Sequence, residues 1–120
     1  MFTNPIAYSN GSATVSYDYN GSQLNQSQYK DNSSSLALPH TFDIAHRNNG
    51  SGEDTVRSSR YGIRRMVEDA LGNQGQISID LVVKTPVKVA TSAQVTEQVT
   101  LMKNFLAGSG VIAKIVAGEI

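Results

Sequence analysis

"QISIDLVVKTPVKVATSAQVTEQVTLMKNFLAG", residues 76–108, changes its hydrophobic period halfway along. In its first part Ile77, Ile79, Leu81 and Val83 alternate with Gln76, Ser78, Asp80 and Val82. A period of two places the first set on one face of a β-strand and the second on the other. Pro86 ends that run, because proline cannot donate to a sheet ladder. Beyond it Val95, Val99, Met102, Phe105 and Leu106 recur at spacings of three and four, which is the stripe of an amphipathic helix. Thr91 and Ser92 offer a helix cap, and Gly108 offers a stop. "SGVIAKIVAGEI", 109–120, reads as a second short helix with Val111, Ile112, Ile115 and Val116 apolar.

Upstream of residue 76 the chain reads as strands and loops. Asn10-Gly11 separates "PIAYS" from "SATVSYDY", and Asn-Gly between strand-like runs signals a hairpin. Asn20-Gly21 is expected to close the second run. "LNQSQYKD" is a weak, polar strand and "DNSSS" a loop. In "LALPHTFDIAHRN", Phe42 and Ile44 point one way, while Thr41, Asp43 and Ala45 point the other. "NNGSGED" and "LGNQG" are turns by composition. The alternation of 57–68 is imperfect at Arg64-Arg65, where a β-bulge would let both arginines avoid the core. A helical reading of "IRRMVEDAL" stays open.

Strands first and helices last is the α+β pattern: an N-terminal hairpin (1–20), an antiparallel meander (21–88) and two C-terminal helices (91–120), all in one domain, 1–120. At 120 residues a single domain is the expectation. The apolar fraction of 39% is low, so the chain is either loop-rich or completes its core on a partner.

Composition excludes several functions. There is no cysteine, hence no disulfide framework and no thiolate metal site. No stretch approaches the roughly 20 apolar residues needed to span a bilayer, and no secretory signal opens the sequence, so a soluble protein of intracellular origin is expected. The N-x-S sequons at Asn10, Asn20, Asn25, Asn32 and Asn49 then read as turn chemistry. His40 and His46 share a strand face but sit about 20 Å apart, too far to ligate one metal. Glu53-Asp54 and Glu68-Asp69 read as solvated turn charges. No serine has a nucleophile context, and no glycine-rich loop carries the Lys-Ser/Thr of a phosphate cradle. No enzyme, cofactor, metal or small-molecule substrate is expected.

One feature is left over. "RSSRYGIRR", 57–65, holds four of the ten basic residues of a chain with zero net charge. With Arg47 these arginines span one hairpin, and Ser58, Ser59, Thr41 and Asn48 add neutral donors. Arginine forks with hydroxyl and amide donors suit phosphates and exposed bases, and Tyr61 could stack on a base. A solvated, charge-balanced sheet face is the plainer alternative.

The chain order resembles the coat proteins of single-stranded RNA bacteriophages. "SQYKDNSSSLALPHTFDIAHRN" is similar to their polar strand, loop and RNA-facing strand. "RSSRYGIRR" is similar to the basic strand that follows, and residues 76–116 to the last strand and the two helices. The resemblance implies an intertwined homodimer with one continuous sheet, assembled in the bacterial host cytoplasm into a many-copy icosahedral shell. In that virion the sheet faces single-stranded genomic RNA, and an RNA hairpin is bound as a translational repressor. Thr41, Asp43, Arg47, Arg60, Tyr61, Arg64, Gln76 and Ser78 would then face RNA. Val95, Val99, Met102, Phe105, Leu106, Ile112 and Ile115 would form the dimer interface. Asp43 and Asp80 depart from the pattern, since on an RNA face they repel phosphate, and "DALGNQG" is shorter than the corresponding loop of the best-known members. The alternative is a small dimeric, non-capsid RNA-binding regulator of translation.

Overall fold

A computed structural model describes residues 2–119, the side chain of Glu53 excepted. The Glu53-Asp54 charge pair therefore lies partly outside the described residues. Six strands form one antiparallel sheet in sequence order: β1 (Ile6–Ser9), β2 (Thr14–Gln23), β3 (Gln26–Lys30), β4 (His40–Asn49), β5 (Val56–Glu68) and β6 (Gln74–Pro86). Two helices follow, α1 (Ser92–Leu106) and α2 (Val111–Ala117).

The Asn10-Gly11 turn forms as its sequence dictates. Asn10 Oδ1 accepts from the backbone N–H groups of Ser12 and Ala13, both at 2.9 Å. Asn20-Gly21 behaves differently. β2 runs on to Gln23, and the pair marks a register shift between Tyr19 and Gly21, with Gly21 at φ 138°. The turn into β3 lies at Leu24-Asn25, where Asn25 adopts φ 61°. Asparagine tolerates that left-handed conformation better than most side chains. The residue-20 boundary expected for the hairpin thus falls inside β2.

β5 is a strand of 13 residues and not a helix. Its register with β4 and β6 is uninterrupted, with Thr41 opposite Arg64 and His40 opposite Arg65. No bulge sits at the arginine doublet, so the two side chains take opposite faces. The loop after β5 is closed by Asp69, whose carboxylate accepts from the backbone of Leu71 and Asn73 and from Asn73 Nδ2, each at 2.9 Å.

One face of the sheet is apolar. Ile6, Tyr17, Tyr29 and Ile44 form a buried cluster, with Val15, Phe42 and Tyr61 packed against it. Polar β3 earns its place through Tyr29, which is 1% exposed and meets Tyr19 edge-on at 5.7 Å. The cluster lies toward β1–β4. On β6 the same face is bare: Ile77 is 51% and Ile79 66% exposed.

α1 starts with a reciprocal capping box. The Thr91 hydroxyl accepts from Gln94 N, and the Gln94 side chain accepts from Thr91 N. Gly110 and Gly118 flank α2 in left-handed conformations. Neither helix carries a buried residue, and their main contact is with each other across a bend of 79°. No single helix among the described residues is long and apolar enough to cross a membrane.

Candidate nucleic-acid interface

The polar face is built by register. Across β4, β5 and β6 its rows are Thr41–Arg64–Ser78, Asp43–Gly62–Asp80, Ala45–Arg60–Val82 and Arg47–Ser58–Lys84. Met66 and Gln76 form the next row beyond Arg64. β3 adds Gln26, Gln28 and Lys30 opposite Ala45, Asp43 and Thr41. Thr41, Asp43, Arg47, Arg60, Arg64, Gln76 and Ser78 therefore share one surface.

Tyr61 does not join them. It pairs with Ile44 and Leu81 and so belongs to the apolar face. There its ring meets Phe2 edge-on at 5.9 Å and His46 at 6.1 Å. Arg57 and Arg65 also leave the polar surface, because they share the parity of Tyr61. The basic stretch 57–65 thus gives only Arg60 and Arg64 to the polar side.

Lys84 is an addition to the surface expected from the sequence, and its parity with Gln76, Ser78 and Asp80 carries the signal. It is exposed beside Ser58, one row from Arg60. Arg64 is engaged: its Nη2 donates to Asp80 Oδ1 at 2.8 Å, and its Nη1 is buried with no partner. Asp43 is 8% exposed, and its Oδ1 is likewise buried without a hydrogen bond.

A second polar cluster lies at the margin of the apolar face. Tyr17 OH and His40 Nε2 are 2.7 Å apart, and His40 Nδ1 is 3.5 Å from Asp31 Oδ2. Ser33 donates to Asp31 Oδ1 from its hydroxyl at 2.6 Å and its backbone N–H at 2.9 Å. The Ser33 hydroxyl bond is the main cause that holds the Asp31 carboxyl below its ordinary value. Burial, aided by the Asp31 charge, pushes the Tyr17 phenol up. A cavity of about 750 Å³ opens beside this cluster, walled by Val15, Phe42, Ile63, Ile77 and Ile79 and rimmed by Arg65. Among the described residues no group of His, Asp or Glu side chains could hold a metal ion.

The helix stripe faces solvent. Val95 is half-buried, while Val99, Met102, Phe105, Leu106, Ile112 and Ile115 are exposed, Phe105 at 56% and Ile112 at 64%. Apolar side chains on the helices and on β6 are thus bare together.

No family model matches the sequence, and no curated protein matches it. Solved structures do match in fold. A chain of the virus-like particle of Beihai levi-like virus 21 superposes with a TM-score of 0.75 at 11% identity, covering 97% of this chain and 94% of that one. A chain of the virus-like particle of bacteriophage AVE019 gives 0.70 at 18% identity, covering 98% and 97%. An unassembled bacteriophage coat protein dimer, described as an RNA-binding dimer, gives 0.56 at 15% identity, covering 97% and 93%. The fold is that of levi-like phage coat proteins, as the resemblance in the sequence implied.

Proposed function

We propose that this chain is the coat subunit of a single-stranded RNA bacteriophage, that two copies form its folded unit, and that many such dimers assemble into a shell around RNA. The observation that carries this reading is the pair of uncovered apolar surfaces. A β6 face with Ile79 at 66% exposure and a helix stripe with Phe105 at 56% are costly in water unless something covers them. A second copy supplies both complements at once: its helices for the bare sheet and its sheet for the bare helices.

The mechanism follows from the two faces. The helix stripe and β6 close the dimer, β6 leaves an unpaired edge for its counterpart, and the polar face remains open to RNA. Arg47, Arg60 and Lys84 attract phosphate, while Thr41, Ser58, Gln76 and Ser78 offer neutral donors. The chemistry is binding and assembly, not catalysis. Virus-like particles among the structural neighbours support the shell, and the RNA-binding dimer supports RNA as the cargo.

The test is expression in bacteria, followed by a sizing column with absorbance at two wavelengths and electron microscopy of the leading fraction. Closed particles with nucleic-acid absorbance are expected. A second reading, a dimeric translational regulator, is favoured by the neighbour that is a dimer outside a shell. It predicts a small RNA-binding dimer and no particles. A folded monomer would contradict both.

A further inference from the structure

The polar face carries five cations, Lys30, Arg47, Arg60, Arg64 and Lys84. Among the described residues of that face, Arg64 alone has a carboxylate within ion-pair distance. The reason is Gly62. It stands between Asp43 and Asp80 in one row and has no side chain to fill the space above it. Arg64, two residues along the same face, lies back over that gap, with Nη2 2.8 Å from Asp80 Oδ1. A Cβ at position 62 would fall well inside contact distance of both Asp80 Oδ1 and Arg64 Nη1. Arg64 thus pairs with Asp80, while Asp43 on the other side of Gly62 keeps its Oδ1 without a hydrogen bond, so the row holds two carboxylates and one of them is paired. Arg47, Arg60 and Lys84 gather around Ser58 in the next two rows, without carboxylate partners among the described residues.

We propose that Asp80 holds Arg64 off RNA, so that phosphate binds at Arg47, Arg60 and Lys84 and is kept away from the Asp43–Gly62–Asp80 row. The inference rests on the reading of the polar face as an RNA surface, and it reverses the simplest expectation for Arg64. An arginine already paired releases few counterions when RNA arrives, so it adds little to the salt dependence. Gly62 is the feature that permits the pairing. Its backbone is ordinary strand, so alanine meets no backbone strain there, and its Cβ would have to displace the ends of the Asp80 and Arg64 side chains.

The probe is a short labelled oligouridylate, which presents phosphates without a fold. Its binding is measured across a salt series to the full-length protein freed of nucleic acid, with melting curves to check folding. Arg60→Ala and Lys84→Ala should each weaken binding about fivefold at about 0.1 M salt and flatten the log–log salt slope by about 0.7. Arg64→Ala should bind like wild type. Gly62→Ala changes no charge, yet it should bind about fivefold tighter with a slope steeper by about 0.7, because it releases Arg64. The double variant Gly62→Ala/Arg64→Ala should lose that gain. If the glycine variant does not fold, Asp80→Asn serves instead: it also removes a repelling charge, so the comparison is whether Arg64→Ala, which should cost nothing in the wild type, costs about fivefold in affinity and about 0.7 in slope in the Asp80→Asn background. An Arg64→Ala loss equal to that of Arg60→Ala, a gain that survives in Gly62→Ala/Arg64→Ala, or an Arg64→Ala that costs nothing in the Asp80→Asn background overturns the inference and leaves the RNA surface standing. Wild-type protein without salt-dependent binding overturns both.

Discussion

Tyr61 shows how much a single position of register decides. Its side chain packs on Phe2 and His46 on the apolar face, while its neighbours Arg60 and Gly62 belong to the polar one. Tyr61→Ala should lower the melting temperature and leave the salt slope of RNA binding unchanged. An intact melt with weakened RNA binding would put the ring on the RNA side. The parity of Arg60 and Arg64 was legible in the sequence, because Phe42, Ile44, Ile63, Ile77, Ile79 and Leu81 fix which face is apolar. Arg65 was not. The sequence suggests a bulge that keeps it from the core, but the apolar face there is a margin, where Arg65 is exposed beside the Tyr17–His40–Asp31 cluster. Asp31 gives a pH test. Its carboxyl is depressed from 3.8 in the fold, so its stabilising effect is full above that value and is lost as pH falls through the lower folded value. Melting curves between neutral and strongly acid pH should show Asp31→Asn with a flatter acid limb than wild type. Identical acid limbs would mean that the Ser33 and His40 contacts contribute nothing.

Elements with unbroken periodicity were the readable ones. β6 and α1 fall where the change of period at Pro86 puts them, and Thr91 caps α1. Thr91→Ala removes an acceptor for Gln94 N and should destabilise the fold by about 1 kcal/mol in a denaturant titration. No change would mean that α1 is held wholly by its packing. β2 runs past the boundary its sequence suggests, because the chemistry that closes a hairpin also shifts the register within a strand. Gly21 at φ 138° absorbs the irregularity within the strand, and Asn25 makes the turn four residues later. Local sequence does not distinguish these outcomes; pairing of Ser22 and Gln23 with Ser27 and Gln26 does. Lys84 is hard to find in the sequence for a related reason. Its significance lies in Arg47 and Arg60, which are distant in sequence and near only through register.

The whole chain is more open than a compact monomer of its size. It exposes 9082 Å², against roughly 6,300 Å² for a compact monomer of 12.9 kDa. Its radius of gyration is 16.8 Å, against about 14 Å for a compact domain of this length. The excess of roughly 2,800 Å² per chain would give two chains about 5,600 Å² to bury between them, the scale of a large obligate interface. On the proposed dimer the low apolar fraction of the sequence follows, since each chain would provide half of a shared core. Phe105→Ala should then cost roughly 3–5 kcal/mol if the ring is fully buried between two chains. It should abolish particles before it affects RNA affinity; particles at wild-type yield would place Phe105 outside the interface. The most direct measurement is native mass spectrometry of the protein after gentle disassembly, paired with circular dichroism of the same sample. The smallest folded species should have the mass of two chains, and dilution should unfold it without passing through a folded single chain. A stable, folded species of 12.9 kDa would contradict the account.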